Sequence, residues 1–308
     1  METLSANTPQ GTQAANTATA AASCTRTCSR IYAVYFSPTL TTKKVVESIA
    51  SAAGASLEVP VTGIDITARA DRERTLEFGP EDAVIFGTPV YIGRVPNLIA
   101  PYFRTIKGGG AAVAAVAVYG NRASDEALPE LMDILEDDGF RLAAAAAFIG
   151  EHSFSRILAA GRPDSLDTEA AASMGKALAL VLGGESPSAA MKAGKFGDMA
   201  QIAGRRKAER RFYPATDSQG NRINIRKVKP VTDPRRCTGC GYCATVCPMG
   251  AIDPHDCASV PGTCIKCSAC VKRCPAQAKS FIDPAFLSHL RLLEEKFQAV
   301  RREPEIFF

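Results

Sequence analysis

The chain has 308 residues, 46% hydrophobic and 22% charged, with a formal net charge of +4 and eleven cysteines. That is enough chain for about two domains with packed cores, and too little charge to make nucleic acid the expected partner. No apolar run approaches a membrane span, and the first residues lack the basic and apolar regions of a secretory signal. The cysteines are therefore expected in a reducing cytoplasm, where metal ligation comes ahead of disulfides.

Residues 1–28 are rich in Ala, Thr, Asn and Ser without apolar periodicity, and read as a disordered arm. Cys24 and Cys28 in that arm form a C-x3-C pair with no assigned role. Residues 29–184 carry five short apolar runs: IYAVYF (31–36), LEVPVTGIDI (57–66), DAVIFGTPV (82–90), AAVAAVAVYG (111–120) and RLAAAAAFIG (141–150). They read as strands, several of them buried on both faces, which points to a parallel sheet. Between them, residues 41–53 place Val45, Val46 and Ile49 on one helical face, with a stop at Gly54. Pro96 suits a first helical position, and Pro101 must delay or kink that helix. Ser124 is placed to cap a helix carrying Leu128, Leu131, Met132 and Leu135, and Ser165 to cap one reaching about Leu182. The crossover at 67–80 has the poorest periodicity and is expected to be short or irregular. Five strands with intervening helices predict an open, doubly wound α/β sheet in the order 2-1-3-4-5.

Residues 185–230 hold eleven Lys or Arg against four acidic residues, with Gly and Pro throughout. They read as a basic linker, solvated or offering a docking patch to an acidic redox partner. In 284–308, FLSHLRLLEEKFQAV (286–300) repeats apolar residues at helical spacing and is expected to pack across the domains as a helical tail.

Two runs of four cysteines, CTGCGYCATVCP (237–248) and CIKCSACVKRCP (264–275), form an internal repeat offset by 27 residues. Zinc binds through pairs of C-x2-C and has no use for three evenly spaced cysteines followed by Cys-Pro. The spacing C-x2-C-x2-C-x3-C-P resembles the two-[4Fe–4S] bacterial-type ferredoxins over 231–283. In that family the fourth cysteine of each run serves the other cluster. The resemblance implies that Cys237, Cys240, Cys243 and Cys274 hold one [4Fe–4S] cluster, and Cys264, Cys267, Cys270 and Cys247 the other, in a small α+β domain. Small neighbours (Gly239, Gly241, Ala244, Ser268, Ala269) let backbone N–H groups approach the sulfurs. Cys257, between the runs, is expected to be an ordinary free thiol.

The first strand runs straight into SPTLTT (37–42), a hydroxyl-rich turn opening a helix, which is the composition of an anion site. Ser37, Thr39 and Thr42 resemble the S/T-x-T-x-x-T phosphate loop of flavodoxin-like proteins, while Pro38, Leu40 and Thr41 stand where that family usually has Thr, Gly and Asn. GTPVYIGRVPN (87–97) resembles the family's P-x-Y-x-G-x-x-P loop, and YGNR (119–122) follows the fourth strand, where the family contacts the flavin edge. The resemblance implies FMN held by Ser37, Thr39, Leu40, Thr41, Thr42, Pro89, Val90, Tyr91, Gly93, Tyr119, Gly120 and Asn121, with Tyr91 the first stacking aromatic and Tyr119 the second. His152, after the fifth strand, lies on the same edge, as a structural histidine or a donor to the flavin.

Taken together, the chain resembles a flavodoxin–ferredoxin fusion protein. The implied function is electron transfer between two [4Fe–4S] clusters and FMN, to or from a redox protein partner. Two alternatives stay open: a flavin-dependent reductase of a small organic substrate fed by the clusters, and an iron–sulfur protein whose sheet domain only docks a partner.

Overall fold

The computed structural model describes residues 28–194 and 196–308. The predicted arm therefore lies outside the described residues, apart from Cys28, which is buried at the foot of the first strand. In chain order the sheet domain runs β1 (Arg30–Tyr35), α1 (Thr41–Leu57), β2 (Val61–Asp65), β3 (Asp82–Pro89), α2 (Ala100–Phe103), β4 (Ala112–Tyr119), α3 (Ala127–Asp137), β5 (Arg141–Ile149) and α4 (Ser165–Leu182). Next come α5 (Pro187–Gly194), α6 (Ala200–Ala203), β6 (Val231–Thr232), α7 (Tyr242–Thr245), α8 (Ala269–Lys272), β7 (Lys279–Ser280), α9 (Pro284–Phe297) and β8 (Glu305–Phe307).

The sheet order is β2-β1-β3-β4-β5-β8, with all pairs parallel except the last. β3 and β4 are buried along their length, as continuous apolar runs in a covered parallel sheet require. Alternate residues feed two cores. Ile31, Ala33, Ile85, Val116 and Phe148 meet α1 and α4 on one face, and Val34, Phe86, Val113 and Ala147 meet α3 on the other. The predicted crossover at 67–80 contains a single 3-10 turn, Ala70–Arg72.

Several boundaries differ from expectation for local reasons. α1 continues through Gly54 and stops at Glu58, whose φ of 56° ends the helix. α3 begins at Ala127 with no side-chain cap, because Ser124 offers its carbonyl, not its hydroxyl, to the Ala127 N–H (3.0 Å). α4 is capped by Asp164, one residue before Ser165: the Asp167 N–H donates to Asp164 Oδ1 (3.2 Å) and the Asp164 N–H to Asp167 Oδ2 (2.9 Å). Arg162 pairs with the fully buried carboxylate of Asp167 and secures that turn.

The 185–230 segment folds onto α3. Glu126, Asp133 and Glu136 share one face of that helix and receive Arg205, Arg206, Lys207 and Arg210. These four of the segment's eleven basic residues are ion-paired within the chain, so that part of the segment is docked on α3 and not a free-standing linker. The tail also departs from expectation. α9 ends at Phe297, and the chain then turns to lay β8 antiparallel against β5, pairing Ala146 with Ile306 and burying Phe308.

The cysteine-rich segment is two half-repeats. β6 pairs with β7, and α7 and α8 stand 27 residues apart, matching the offset of the cysteine runs. The segment sits on the sheet's carboxyl edge. Arg72 donates to the Pro248 carbonyl at 2.5 Å, Arg156 to the Val271 carbonyl at 3.3 Å, and Lys272 pairs with Glu151. Phe154, Phe281 and Phe286 stack across the same junction, with centroids 4.6–4.7 Å apart for the two closer pairs.

Candidate cluster cavities and the sheet's carboxyl edge

Each half-repeat turns its sulfurs inward by the same device. A residue at positive φ (Gly241 at 73°, Ser268 at 61°) precedes a one-turn helix, and this aims the flanking cysteines into a common space. The first cavity is lined by Cys237, Cys240, Cys243, Cys274 and also Cys257. The second is lined by Cys247, Cys264, Cys267 and Cys270. The last cysteine of each run thus crosses to the cavity of the other run. Among the described residues no three Cys, His, Asp or Glu side chains converge closely enough for one metal ion. Sulfurs spread around a cavity suit a multi-iron cluster better than a single zinc.

The two cavities differ in surroundings. Cys240 is exposed, and its thiol is drawn below the ordinary range by the Tyr242 N–H and then the Thr238 hydroxyl. Cys267 and Cys270 are buried, and burial pushes the Cys270 thiol up to about 12. A bound cluster would need thiolates, so the buried set would gain most from a cationic iron core. Two sulfurs accept backbone bonds at equivalent places, Cys247 from Ala251 N–H and Cys274 from Ala278 N–H, both at 3.3 Å.

Cys257 was not legible as a neighbour of this site, since it lies outside both runs. Its carbonyl accepts from the Thr232 hydroxyl at 3.2 Å and from the Lys279 ammonium, which fixes the backbone beside the first cavity.

On the sheet side, β1, β3 and β4 bring the three predicted loops to one edge. Ser37 is buried; its N–H donates to Thr67 Oγ1 at 2.7 Å, and its hydroxyl accepts from the Lys43 N–H at 2.9 Å. The N-cap of α1 is Leu40, at φ 70° and with no side-chain cap. The helix thus opens with Thr39, Thr41 and Thr42 around N–H groups that no side chain at its N-cap covers, a composition that fits a phosphate.

The Tyr91 loop is rigid. Tyr91 and Arg94 exchange backbone hydrogen bonds (2.9 and 3.1 Å) around Ile92 at φ 53° and Gly93 at φ 76°, a primed turn. Glycine is required at 93 by its φ, and because a Cβ would lie 2.6 Å from Asp125 Oδ2. Glu130 of α3 clamps the turn, accepting from Arg94 at 2.7 and 2.5 Å and from the Val95 N–H at 3.0 Å. Tyr91 packs against Val246, Cys267 and Ala269, so the aromatic predicted to stack on flavin lies beside the second cavity.

The third loop is differently placed. Tyr119 points into the core beside α3, and Asn121 donates to the Phe297 and Val300 carbonyls at 2.9 and 2.7 Å, tying the tail across this edge. The buried Oδ1 of Asn121 has no partner among the described residues. His152 packs on Gly120, and its Nδ1 accepts from the Phe154 N–H at 3.2 Å. Burial, with Lys272 and His289 nearby, lowers its pKa to about 3 and keeps it neutral.

Residues 230–253, which hold the first cysteine run, match the model of the 4Fe-4S binding domain. The chain joins a flavodoxin-like sheet to a ferredoxin-type segment. The strand order 2-1-3-4-5 sets the first half of that statement. Solved structures similar to this chain include a flavodoxin from the domain Archaea (16% identity, covering 50% of this chain and 98% of that one, TM-score 0.36). Another is the Streptococcus pneumonia TIGR4 flavodoxin (16% identity, 50% and 99%, TM-score 0.36). A third is the apo form of the NADH:FMN oxidoreductase EMOB (18% identity, 52% and 98%, TM-score 0.37). No curated protein matches the sequence. Among the described residues no helix of the flavodoxin-like or ferredoxin-type part is long and apolar enough to cross a membrane.

Proposed function

We propose that the chain is an iron–sulfur flavoprotein conducting electrons between a redox protein docked at the Cys240 face and FMN at the Tyr91 edge. The reading is carried by one observation: two cysteine-lined cavities, each holding three cysteines of one run and the last of the other, adjoin, one opening at Cys240 and the other backing onto Tyr91. Bound there, [4Fe–4S] clusters carry single electrons and FMN takes one or two.

The residues divide the work. Cys237, Cys240, Cys243 and Cys274 would hold the outer cluster, and Cys247, Cys264, Cys267 and Cys270 the inner one. Thr39, Thr41 and Thr42 at the open end of α1 would bind the FMN phosphate. Tyr91 would orient the ring against the inner cavity, and Asn121 Oδ1 offers an unused acceptor at its edge. The sheet and the ferredoxin-type segment are held together by Arg72 and Lys272, which fixes the separation and raises effective concentration over that of free carriers.

The outer face also indicates the partner's chemistry. Arg235 and Arg236 are exposed beside Cys237, and Arg273 lies over the Tyr242 ring at 5.5 Å. None of the three makes an ion pair among the described residues, so the rim suits an acidic one-electron carrier protein.

Anaerobic purification with iron, sulfide and flavin measured per chain tests the reading. About eight irons, about eight sulfides and about one FMN are expected. Zinc without sulfide overturns the cluster assignment, and full iron without flavin moves the docking-only alternative ahead.

A further inference from the structure

The two half-repeats differ at one position that matters to what fills the cavities. Gly241 and Ser268 are the same residue of the repeat, 27 apart, each the N-cap of a one-turn helix and each at positive φ. Gly241 takes φ 73° freely. Ser268 at φ 61° adopts a conformation that L residues avoid. Ser268 is also 2% exposed, and its Oγ has no hydrogen-bond partner among the described residues. It lines the second cavity with Cys247, Cys264, Cys267 and Cys270. A serine here therefore carries two penalties that glycine at the equivalent place does not, backbone strain and an unpaired buried hydroxyl. The acceptors that would complete it are the sulfurs belonging in that cavity.

We propose that the Ser268 hydroxyl donates a hydrogen bond to a sulfur of the inner [4Fe–4S] cluster and makes that cluster easier to reduce than it would otherwise be. This rests on the reading that both cavities hold clusters. Reduction adds negative charge that is shared with the sulfurs, so a donated hydrogen bond favours the reduced state and raises the potential. The glycine at the outer cavity supplies no such donor. The asymmetry biases an electron received at the Cys240 face toward the cavity beside Tyr91, which gives the chain an inward direction.

The test is an anaerobic redox titration followed by electron paramagnetic resonance, on the full chain with iron and sulfide measured first. Ser268→Ala removes the hydroxyl and keeps the strain; Ser268→Gly removes both. Each should lower one cluster's potential by about 59 mV, a tenfold change in its one-electron equilibrium, and leave the other cluster in place. In the reverse direction, a Cβ at 241 meets nothing within 4 Å, so Gly241→Ser adds a hydroxyl beside the outer cavity without a steric clash, at the cost of the backbone strain that Ser268 already carries. That variant should raise the other potential. Comparison of protonated and deuterated buffer should show one exchangeable-proton coupling fewer at the inner cluster in Ser268→Ala, with backbone N–H couplings such as that of Ala251 retained. Should the Ser268 variants fail to hold iron, Gly241→Ser decides alone. Eight irons with unmoved potentials overturn the hydroxyl's role and leave the proposed function standing. Four irons in the native chain overturn both.

Discussion

Lys272 of the ferredoxin-type segment pairs with Glu151 of the flavodoxin-like sheet, and its ammonium also donates to the Ser155 carbonyl. The lysine side chain is 12% exposed and the glutamate 30%, so the pair is partly withdrawn from water and joins the two halves of the chain. Removing the lysine leaves a carboxylate and a carbonyl without their donor. Lys272→Ala should cost roughly 2 kcal/mol of stability. Amide exchange should rise at residues 151–156 while β2, on the far edge of the sheet, stays protected. Uniform exchange across the sheet would mean that the pair does not hold the junction.

Leu40 occupies φ 70° where the resembled family usually has glycine. Leu40→Gly relieves that strain at the N-terminus of α1 and, on the proposed reading, should tighten FMN binding. Thr39→Ala with Thr42→Ala should weaken it without unfolding the sheet. Flavin titration by fluorescence measures both, and unchanged affinity in the folded double variant would reduce these hydroxyls to helix capping.

Charge reversal at the outer rim addresses the partner. Arg235→Glu with Arg236→Glu should slow reduction by an acidic carrier protein about tenfold or more at low salt and flatten its ionic-strength dependence. Reduction by dithionite, a small reagent, should be unaffected. Equal rates with the acidic carrier would place its docking elsewhere.

Asp138 follows Glu136 and Asp137 at the carboxyl end of α3, where the helix dipole disfavours negative charge. Its Oδ2 is buried without a partner among the described residues, and burial raises its pKa from 3.8 to about 6. A raised folded pKa means stability present at low pH and lost as pH rises from 3.8 through about 6. Asp138→Asn should therefore stabilise the protein at neutral pH, on the order of 1 kcal/mol, and do little in acid. Thermal unfolding at the two pH values is the measurement, and a gain of the same size at both would refute the titration account.

His152 runs the other way. Its folded pKa of about 3 lies below the ordinary 6.5, so the unfolded chain binds the extra proton between those values. The contribution is complete above pH 6.5 and lost as pH falls toward about 3. Between pH 7 and about pH 4.5, urea midpoints should fall less in His152→Gln than in the native chain. Parallel losses would assign the acid sensitivity to carboxylates alone.

The sheet was legible because β3, β4 and β5 are long, continuous apolar runs, and the paired cavities because eight cysteines repeat one spacing; β2, by contrast, is a short and largely exposed edge strand. What escaped the sequence depended on distant partners. The basic stretch around Arg206 and Arg210 looks solvated until Glu126, Asp133 and Glu136, some 70 to 80 residues away, are folded beside it. Cys257 carries no spacing signal and is placed by contacts the spacing does not show, its carbonyl accepting from Thr232 and Lys279 and its side chain packing beside Cys243. Ser268 was read as a small residue, since neither its positive φ nor its lone hydroxyl is visible in the sequence. Asp164 displaced Ser165 as the cap because the Asp164 and Asp167 carboxylates each accept the other's N–H in a reciprocal capping box. β8 is three residues long, too short for its alternation to declare a strand.

That short strand imposes an order on synthesis. Residues 145–147 of β5 find their neighbours only at 305–307, with the whole ferredoxin-type segment between them. A ribosome making about 5–20 residues per second leaves the β5 edge bare for about ten seconds or more after β5 itself is made. During that interval a row of unpaired backbone groups is open to another nascent chain, and a chain cut short before Glu305 keeps it open permanently. Loss of the last few residues should therefore show itself first as self-association, in a protein whose cavities and Tyr91 edge are otherwise intact.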